Sequence, residues 1–376
     1  VNIALDMRKR AGFGISTYVR NTVRALAEVD SDGRHRYILI GTPDQLREFR
    51  GLPTQFVLQA FPMPTLRNML AFYRTLRGYD CHLLHVPHLF KTPRFAPCPY
   101  VVTVHDVLDF IFLRSKQTER QSRTRLQLAK FALRRAGGIV AVSNSTRDDI
   151  MRVFGIGDAQ RISVAYNAVD PKLLAPVTEA ERRAVLERYQ IRYPFLLYAG
   201  SAKPHKNVTR LIEAFSALRG DLARDRQFPG LKLIVIGDDI SENPELRRAV
   251  VRSGVQHDVR FLGFVPIEAV RVFYASAEIF VFPSLYEGFG LPPLEAMAQG
   301  APVVCSNTSA LPEVVGDAAV LVNPENSFEI MHAVKRVLLD RELRQSLSER
   351  GRQRAAAFSW RRSAEQLLAT YERVSG

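Results

Sequence analysis

Short apolar runs rich in β-branched and aromatic residues alternate along the chain with stretches whose apolar residues recur at helical spacing. Residues 2–5, 37–40, 55–59, 82–85, 100–104, 139–142 and 162–165 read as strands, and so do 195–199, 232–236, 259–262, 279–282, 302–305 and 319–322. Between them lie helical patterns such as Val19, Val23 and Leu26, or Leu211, Ile212 and Phe215. Strand and helix in alternation predict an α/β fold with parallel sheets. Residues 170–193 break the alternation, with no strand pattern and with Pro171, Pro176 and Pro194 in or beside them. A linker is predicted there, between two doubly wound, Rossmann-like domains, 1–175 and 190–355, facing across a cleft. The stretch 358–374 is helical, with Leu367, Leu368 and Tyr371 as an apolar stripe and Trp360 near its start. As a terminal segment, 356–376, it is expected to cross back and brace the first domain.

At 376 residues the chain is too long for one ordinary core, which agrees with two domains. Its composition, 47% hydrophobic and 24% charged, is that of a soluble globular protein. No apolar run reaches the ~18 residues of a membrane-spanning helix. The chain starts directly on a strand pattern, so no secretory signal is expected. Cys81, Cys98 and Cys305 are scattered, which suits a reducing compartment and gives no metal motif.

Charge changes the picture more, because it is uneven. Residues 1–180 hold 26 Lys+Arg against 15 Asp+Glu, a balance of +11, whereas the remainder carries +3 of the total +14. An anionic partner for the first half follows: nucleic acid, an acidic membrane surface or a phosphorylated substrate. Two basic stretches concentrate this charge. Residues 66–76 place Leu66, Met69, Leu70, Tyr73 and Leu76 on one face, with Arg67, Arg74 and Arg77 elsewhere, and residues 114–135 hold eight Lys+Arg and one acidic residue. Each alone reads as a helix packed on the sheet with a solvated arginine face. Together, in so basic a half, they also read as a surface for an anionic bilayer.

The densest chemistry lies in Glu287-Gly288-Phe289-Gly290-Leu291-Pro292-Pro293-Leu294-Glu295, directly after the strand pattern Ile279-Phe280-Val281-Phe282. Glycines let a backbone approach a ligand closely. Prolines fit the first turn of a helix, whose N–H groups and dipole favour a phosphate. Carboxylates accept hydrogen bonds from sugar hydroxyls. A pocket for a diphosphate flanked by polyols, a nucleotide sugar, follows. Glu295 is expected to open that helix; the alternative is a plain turn, with Glu295 a capping carboxylate on an ordinary helix.

Other strand ends carry further candidates. The first strand runs into Met7-Arg8-Lys9-Arg10-Ala11-Gly12-Phe13-Gly14, a glycine loop before a helix but not the dinucleotide fingerprint. The run Val101-Val102-Thr103-Val104 delivers His105 and Asp106 to a strand's carboxyl end, where His105 can bond a hydroxyl or take up a proton. His85 and His88 rank lower, since Pro87 and Pro93 suggest a structural loop. In Gly200-Ser201-Ala202-Lys203-Pro204-His205-Lys206-Asn207 a strand again ends in a glycine loop, and Lys206 stands where the next helix begins, suited to a diphosphate leaving group. Asp238 and Asp239 read as a helix cap rather than a metal site.

These residues resemble glycosyltransferase family 4, retaining enzymes of the GT-B fold, over almost the whole chain. The most specific part is Ser284-Leu285-Tyr286-Glu287 through Glu295 to Gly300-Ala301-Pro302-Val303-Val304, which resembles the family's Glu-x7-Glu signature. Val142-Ser143-Asn144-Ser145, Tyr166-Asn167-Ala168-Val169-Asp170 and Phe261-Leu262-Gly263-Phe264-Val265 are similar to other family segments. The resemblance implies that Glu287 contacts donor-sugar hydroxyls and Glu295 the ribose. It implies that Gly288, Phe289, Gly290 and Leu291 offer backbone N–H groups. It sets Lys206 on the diphosphate, Gly14 closing on it, Val265 near the base and His105 at the reacting centre, with Asp106 on the acceptor side. One departure stands out: Ser201 follows Gly200 where many members carry an arginine, and either Lys203 or His205 partly replaces it or nothing does.

The reaction expected is metal-independent hexosyl transfer with retention, with no cofactor beyond the nucleotide sugar as substrate. The donor implied is GDP-mannose, as in bacterial mannosyltransferases of surface polysaccharide assembly, with a UDP-hexose as the alternative. The acceptor expected is lipid-linked or a polysaccharide, met in the cytoplasm at the inner face of an anionic membrane. A nucleotide-sugar epimerase on the same fold remains open. A nucleic-acid-binding protein would explain the charge but not the Glu287–Glu295 loop, so no nucleic-acid partner is expected.

Overall fold

The structure is a computed structural model that describes residues 1–8, 13–63, 68–89, 96–112, 119–225 and 228–376. The chain divides into two compact units, Val1–Asn167 with Ser359–Gly376, and Ala168–Phe358.

The first unit runs β1 (Asn2–Asp6), α1 (Phe13–Val29), β2 (Arg36–Gly41), α2 (Pro43–Leu46), β3 (Phe56–Ala60), α3 (Met69–Gly78) and β4 (Leu83–Val86). It continues with β5 (Tyr100–Val104), α4 (Leu108–Ile111), α5 (Glu119–Arg135), β6 (Gly138–Ala141), α6 (Asn144–Phe154) and β7 (Ile162–Val164). Its strands are parallel, in the order β3-β2-β1-β4-β5-β6-β7. The runs Tyr37-Ile38-Leu39-Ile40 and Val101-Val102 are inaccessible, as continuous apolar strands covered on both faces should be.

The second unit runs α7 (Glu179–Arg188), β8 (Phe195–Gly200), α8 (Val208–Asp225), β9 (Lys232–Gly237), α9 (Pro244–Arg252), β10 (Val259–Gly263) and α10 (Ile267–Ser276). Then come β11 (Ile279–Phe282), α11 (Leu291–Ala298), β12 (Val303–Ser306), α12 (Leu311–Val315), β13 (Ala319–Val322), α13 (Ser327–Leu339) and α14 (Arg341–Ala356). Its sheet is also parallel, ordered β10-β9-β8-β11-β12-β13. Every apolar run named from sequence is a strand, with ends displaced by no more than one residue.

The last helix, α15 (Trp360–Ser375), packs on α1 and across β4 to β7 of the first unit. Trp360, Leu367, Leu368 and Tyr371 are its buried stripe. Small residues let it sit close: a Cβ on Gly137 would lie 2.5 Å from Val374 Cγ1.

The segment 170–193 differs from the linker expected. It holds a 3-10 turn, Pro171–Leu173, capped by Asp170, and then α7, whose Thr178 and Glu181 form a capping box. Arg182 donates to Ala275 O at 2.9 Å and Arg271 to Glu181 at 2.6 Å, which fastens α7 to α10 inside the second unit. Pro171 starts a turn here rather than loosening the chain.

The first basic stretch also differs. Leu66 and Arg67 lie outside the described residues, and α3 buries Phe72 and Leu76 while Leu70 is 68% exposed. Leu70 falls some 100° around the helix from Met69, so it leaves the face shared by 69, 72 and 76.

Candidate functional site

In the second unit the strand order reverses between β8 and β11. Loops after such a pair lead away in opposite directions, leaving a crevice at the carboxyl ends where ligands bind. These two loops carry Lys206 and Glu287. Lys206 Nζ lies 2.6 Å from Glu287 Oε1, with the two side chains only 15% and 12% exposed. Ser284 Oγ donates to the same carboxylate oxygen at 2.6 Å.

The backbone around the pair is tied from several sides. His205 O accepts from Leu285 N–H at 2.7 Å. Asn207, in the left-handed region at φ 60°, donates through Nδ2 to Pro283 O at 3.0 Å and to Pro324 O at 2.7 Å. Glu287 N–H donates to Ser309 Oγ at 2.9 Å. These four hydrogen bonds hold one cation and one carboxylate in register.

The loop after β8 is equally constrained. A Cβ on Gly237, at φ 144°, would lie 1.9 Å from Gly200 O, so glycine is required where β8 and β9 end together. Tyr198 Oη donates to Ser201 O at 2.7 Å, and Ala202 N–H donates to Asp238 at 2.7 Å. Burial, then the charges of Glu287 and Asp238, push the Tyr198 phenol well up, so it remains a neutral donor. Ser201 is therefore anchored by its carbonyl, and Lys203 stands exposed on the same loop. Asp239 caps Ser241 N–H at 2.8 Å, the cap read from sequence.

Gly290 is the N-cap of α11 at φ 114°, and a Cβ there would lie 2.7 Å from Leu311 Cδ2. No side chain caps this helix, and Pro292 and Pro293 have no N–H. The donors of its first turn are therefore the backbone N–H groups of Gly290 and Leu291. Gly288 is buried beside them. Phe289 turns its ring inward, edge-on to Phe358 at 5.7 Å, so only its backbone can meet a ligand.

Glu295 does not open the helix. The two prolines occupy the first turn, and Glu295 is the fifth residue of α11. Its Oε2 accepts from Tyr274 Oη of α10 at 3.0 Å. Burial and then the charge of Asp170 raise its pKa to about 7, against the opposing hydrogen bond from Tyr274. Val265 is buried between Gly263, at φ 63°, and Pro266, which precedes α10.

The first unit holds the remaining candidates. His105 follows β5, and its Nε2 lies 3.0 Å from Pro87 O. Asp106 is exposed and its Oδ1 accepts from Leu108 N–H at 3.0 Å, just before α4. Gly14 is exposed in the first turn of α1, and a Cβ there would meet nothing within 4 Å. Lys9, Arg10, Ala11 and Gly12 of its loop lie outside the described residues, as does Arg114 of the second basic stretch. His85, the last residue of the strand expected at 82–85, is the buried third residue of β4.

Residues with no role in the sequence reading complete this arrangement. Ser284 and Asn207 stood inside quoted motifs, and their types, a hydroxyl and an αL-tolerant amide, were the available signal. Tyr274 and Ser309 gave none, because their partners lie on other elements, and Tyr198, whose partner is the Ser201 carbonyl three residues on, read only as part of an apolar strand.

Chemically, a lysine–glutamate pair beside a helix N-terminus offers a cation and N–H donors to a phosphate and a carboxylate to hydroxyls. The model for Glycosyltransferase Family 4 matches residues 14–173, and that for Glycosyl transferases group 1 matches residues 183–354. The chain is 34% identical over 298 residues to O-antigen chain mannosyltransferase B of Escherichia coli, covering 79% of this chain and 76% of that one. It is 30% identical over 249 residues to the serotype-specific mannosyltransferase WbdA of Escherichia coli, 66% of this chain but 30% of that longer protein. Among solved structures, Anabaena Alr3699/HepE in complex with UDP-glucose shares the fold with a TM-score of 0.78 at 19% identity, over 99% of each chain.

Proposed function

Since the chain belongs to glycosyltransferase family 4 and is a hexosyltransferase of the GT-B fold, we propose that it moves mannose from GDP-mannose to a lipid-linked or polysaccharide acceptor with retained configuration. The observation that carries the site is the Lys206–Glu287 pair at the β8/β11 reversal. The choice of mannose rests on the names of the relatives, which are mannosyltransferases of O-antigen chains.

In this reading Glu287 accepts from hydroxyls of the donor sugar and Glu295 from those of the ribose. Backbone N–H groups from Gly288 to Leu291 face the donor, with Gly14 approaching the diphosphate and Val265 lying near the base. An ammonium has three donors and Glu287 takes one, which leaves Lys206 capacity for a phosphate oxygen. As the bond to the anomeric carbon breaks, negative charge grows on the departing diphosphate, where Lys206 and the α11 N-terminus stabilise it. The acceptor oxygen attacks from the same face, and the departing phosphate oxygen takes its proton. His105 lies by the transferred sugar and Asp106 on the acceptor side.

The acceptor is met at an anionic membrane, on the cytoplasmic face. Among the described residues no helix is long and apolar enough to span a bilayer. The first unit instead exposes Ile111 and Phe112 at the end of α4, and Leu128 (41%) and Phe131 (43%) on α5. Arg123, Arg134 and Arg135 are exposed on that helix, and Arg125 pairs with Asp109 of α4 at 3.2 Å. Apolar side chains among arginines suit an anionic interface.

The test is transfer by Glu287→Ala and Lys206→Ala. Both are expected to lose transfer, and unchanged activity in both would sink the site. Sedimentation with anionic liposomes at moderate salt tests the membrane clause, which fails if the protein stays in the supernatant. A UDP-hexose is the second donor, suggested by the fold neighbour solved with UDP-glucose.

A further inference from the structure

Below His105 the first unit buries a line of polar side chains to which the donor site gives no task. Strand alternation puts Thr103 and His105 on one face of β5, and the register His85↔Val101 puts His85 of β4 on that face too. His85 Nε2 lies 2.8 Å from Thr103 Oγ1. His85 Nδ1 lies 2.7 Å from Tyr371 Oη of α15. Thr103 Oγ1 lies 3.0 Å from Tyr18 Oη of α1. The Tyr18 ring then meets the His105 ring edge-on at 4.8 Å and 81°, while Trp360 of α15 flanks Tyr18 at 6.1 Å.

All four members of the line are essentially inaccessible. Buried polar groups are costly unless fully paired, and apolar side chains of the same shape would fill this space as well. Burial pushes His85 down to about 3, so it is neutral, with one donor and one acceptor nitrogen. One ring nitrogen then donates and the other accepts, so His85 links the Tyr371 hydroxyl to the Thr103 hydroxyl in either tautomer, and Thr103 passes the line on to Tyr18. At its end, the Pro87 carbonyl can only accept, which places the His105 proton on Nε2.

We propose that Tyr371, His85, Thr103 and Tyr18 are positioning residues that fix the orientation and tautomer of His105, and so make the C-terminal helix part of the reacting site. The proposal rests on His105 standing at that site. Without the Thr103 hydroxyl the Tyr18 ring loses its anchor, and the edge contact that holds the imidazole against Pro87 O loosens.

Thr103→Val and Tyr371→Phe test this, each removing one hydroxyl at near-constant volume. Two readouts are needed: ¹⁵N shifts of the His105 imidazole in histidine-labelled protein, assigned with His105→Gln, and steady-state transfer kinetics. The wild type is expected to show the Nε2–H tautomer and both variants a mixture. Their kcat should fall about tenfold with donor KM within about twofold, within the range for sub-ångström misplacement. Leu368→Ala, buried on α15 outside the line, should lower stability while leaving the His105 signature and kcat unchanged. Folded variants with wild-type ¹⁵N shifts and kcat would overturn the proposal, as would equal changes in Leu368→Ala. Full transfer by His105→Ala, alongside altered shifts in Thr103→Val, would uphold the line and overturn the role given to His105.

Discussion

Replacing Lys206 by alanine separates what the Lys206–Glu287 pair does for the fold from what it does for the reaction. The pair is short, 2.6 Å, and mostly buried. Removing one partner of a buried pair costs about 3–5 kcal/mol when the other is left alone. Glu287 is not left alone, because Ser284 Oγ still donates to it at 2.6 Å. The expected cost is therefore nearer that of one unsatisfied polar group, about 1–3 kcal/mol. At about 2–4 °C per kcal/mol for a unit of this size, Tm should drop by roughly 2–12 °C. If Lys206 faces the departing diphosphate as proposed, its loss should lower kcat/KM by a further ~10²–10³, the usual effect of deleting one preorganised charge-stabilising donor. The assay is donor-dependent release of nucleoside diphosphate below the variant's Tm, beside a thermal melt. A melt shifted as expected with kcat/KM within about threefold of wild type would refute the reasoning. The pair would then be structural, and the phosphate would bind elsewhere.

Gly290→Ala forces a side chain into φ 114° with its Cβ 2.7 Å from Leu311 Cδ2, so urea unfolding should show a loss of about 1–3 kcal/mol and donor KM should rise. Ser284→Ala removes a 2.6 Å bond to Glu287 and is expected to raise donor KM while Tm falls by a few degrees. The raised pKa of Glu295 gives a signed pH effect: its stabilising contribution is full below its ordinary value of 4.5 and is lost as pH rises through about 7. Tm should decline across that window, and Glu295→Gln should flatten the decline. Nucleotide affinity should instead rise through pH 7, as the ionised carboxylate becomes the better acceptor for ribose hydroxyls.

Periodicity was enough for the strands, because a buried parallel strand is a continuous apolar run and nothing else in the chain competes with it. It also located Lys206 and Glu287, each on a loop after such a run. Their contact, across 81 positions, depends on β8 and β11 being neighbours, which no local pattern encodes. The double proline marks the first turn of α11 in sequence and structure alike, which leaves Glu295 in the second turn rather than at the opening of the helix. Its partner Tyr274 could not be foreseen, since helix-to-helix pairing is a tertiary fact. Residues 170–193 looked like a linker because a capped helix between prolines has no strand signature. The strand pattern 82–85 ended on His85, whereas β4 runs on to Val86 and buries the imidazole in the core, where its partners Thr103 and Tyr371 come from other elements.

The β8/β11 crevice is proposed to bind a guanosine diphosphate sugar through Lys206 and Glu287. Thermal denaturation with GDP-mannose, GDP, UDP-glucose and UDP, in wild type and in Lys206→Ala, tests it directly. At about 100-fold excess over Kd a specific ligand adds ~2.7 kcal/mol, a clear upward shift in Tm. The account predicts that GDP-mannose raises Tm most, that GDP follows, and that both shifts collapse in Lys206→Ala. Equal shifts in the variant, or stabilisation by UDP-glucose with none by GDP-mannose, would contradict it.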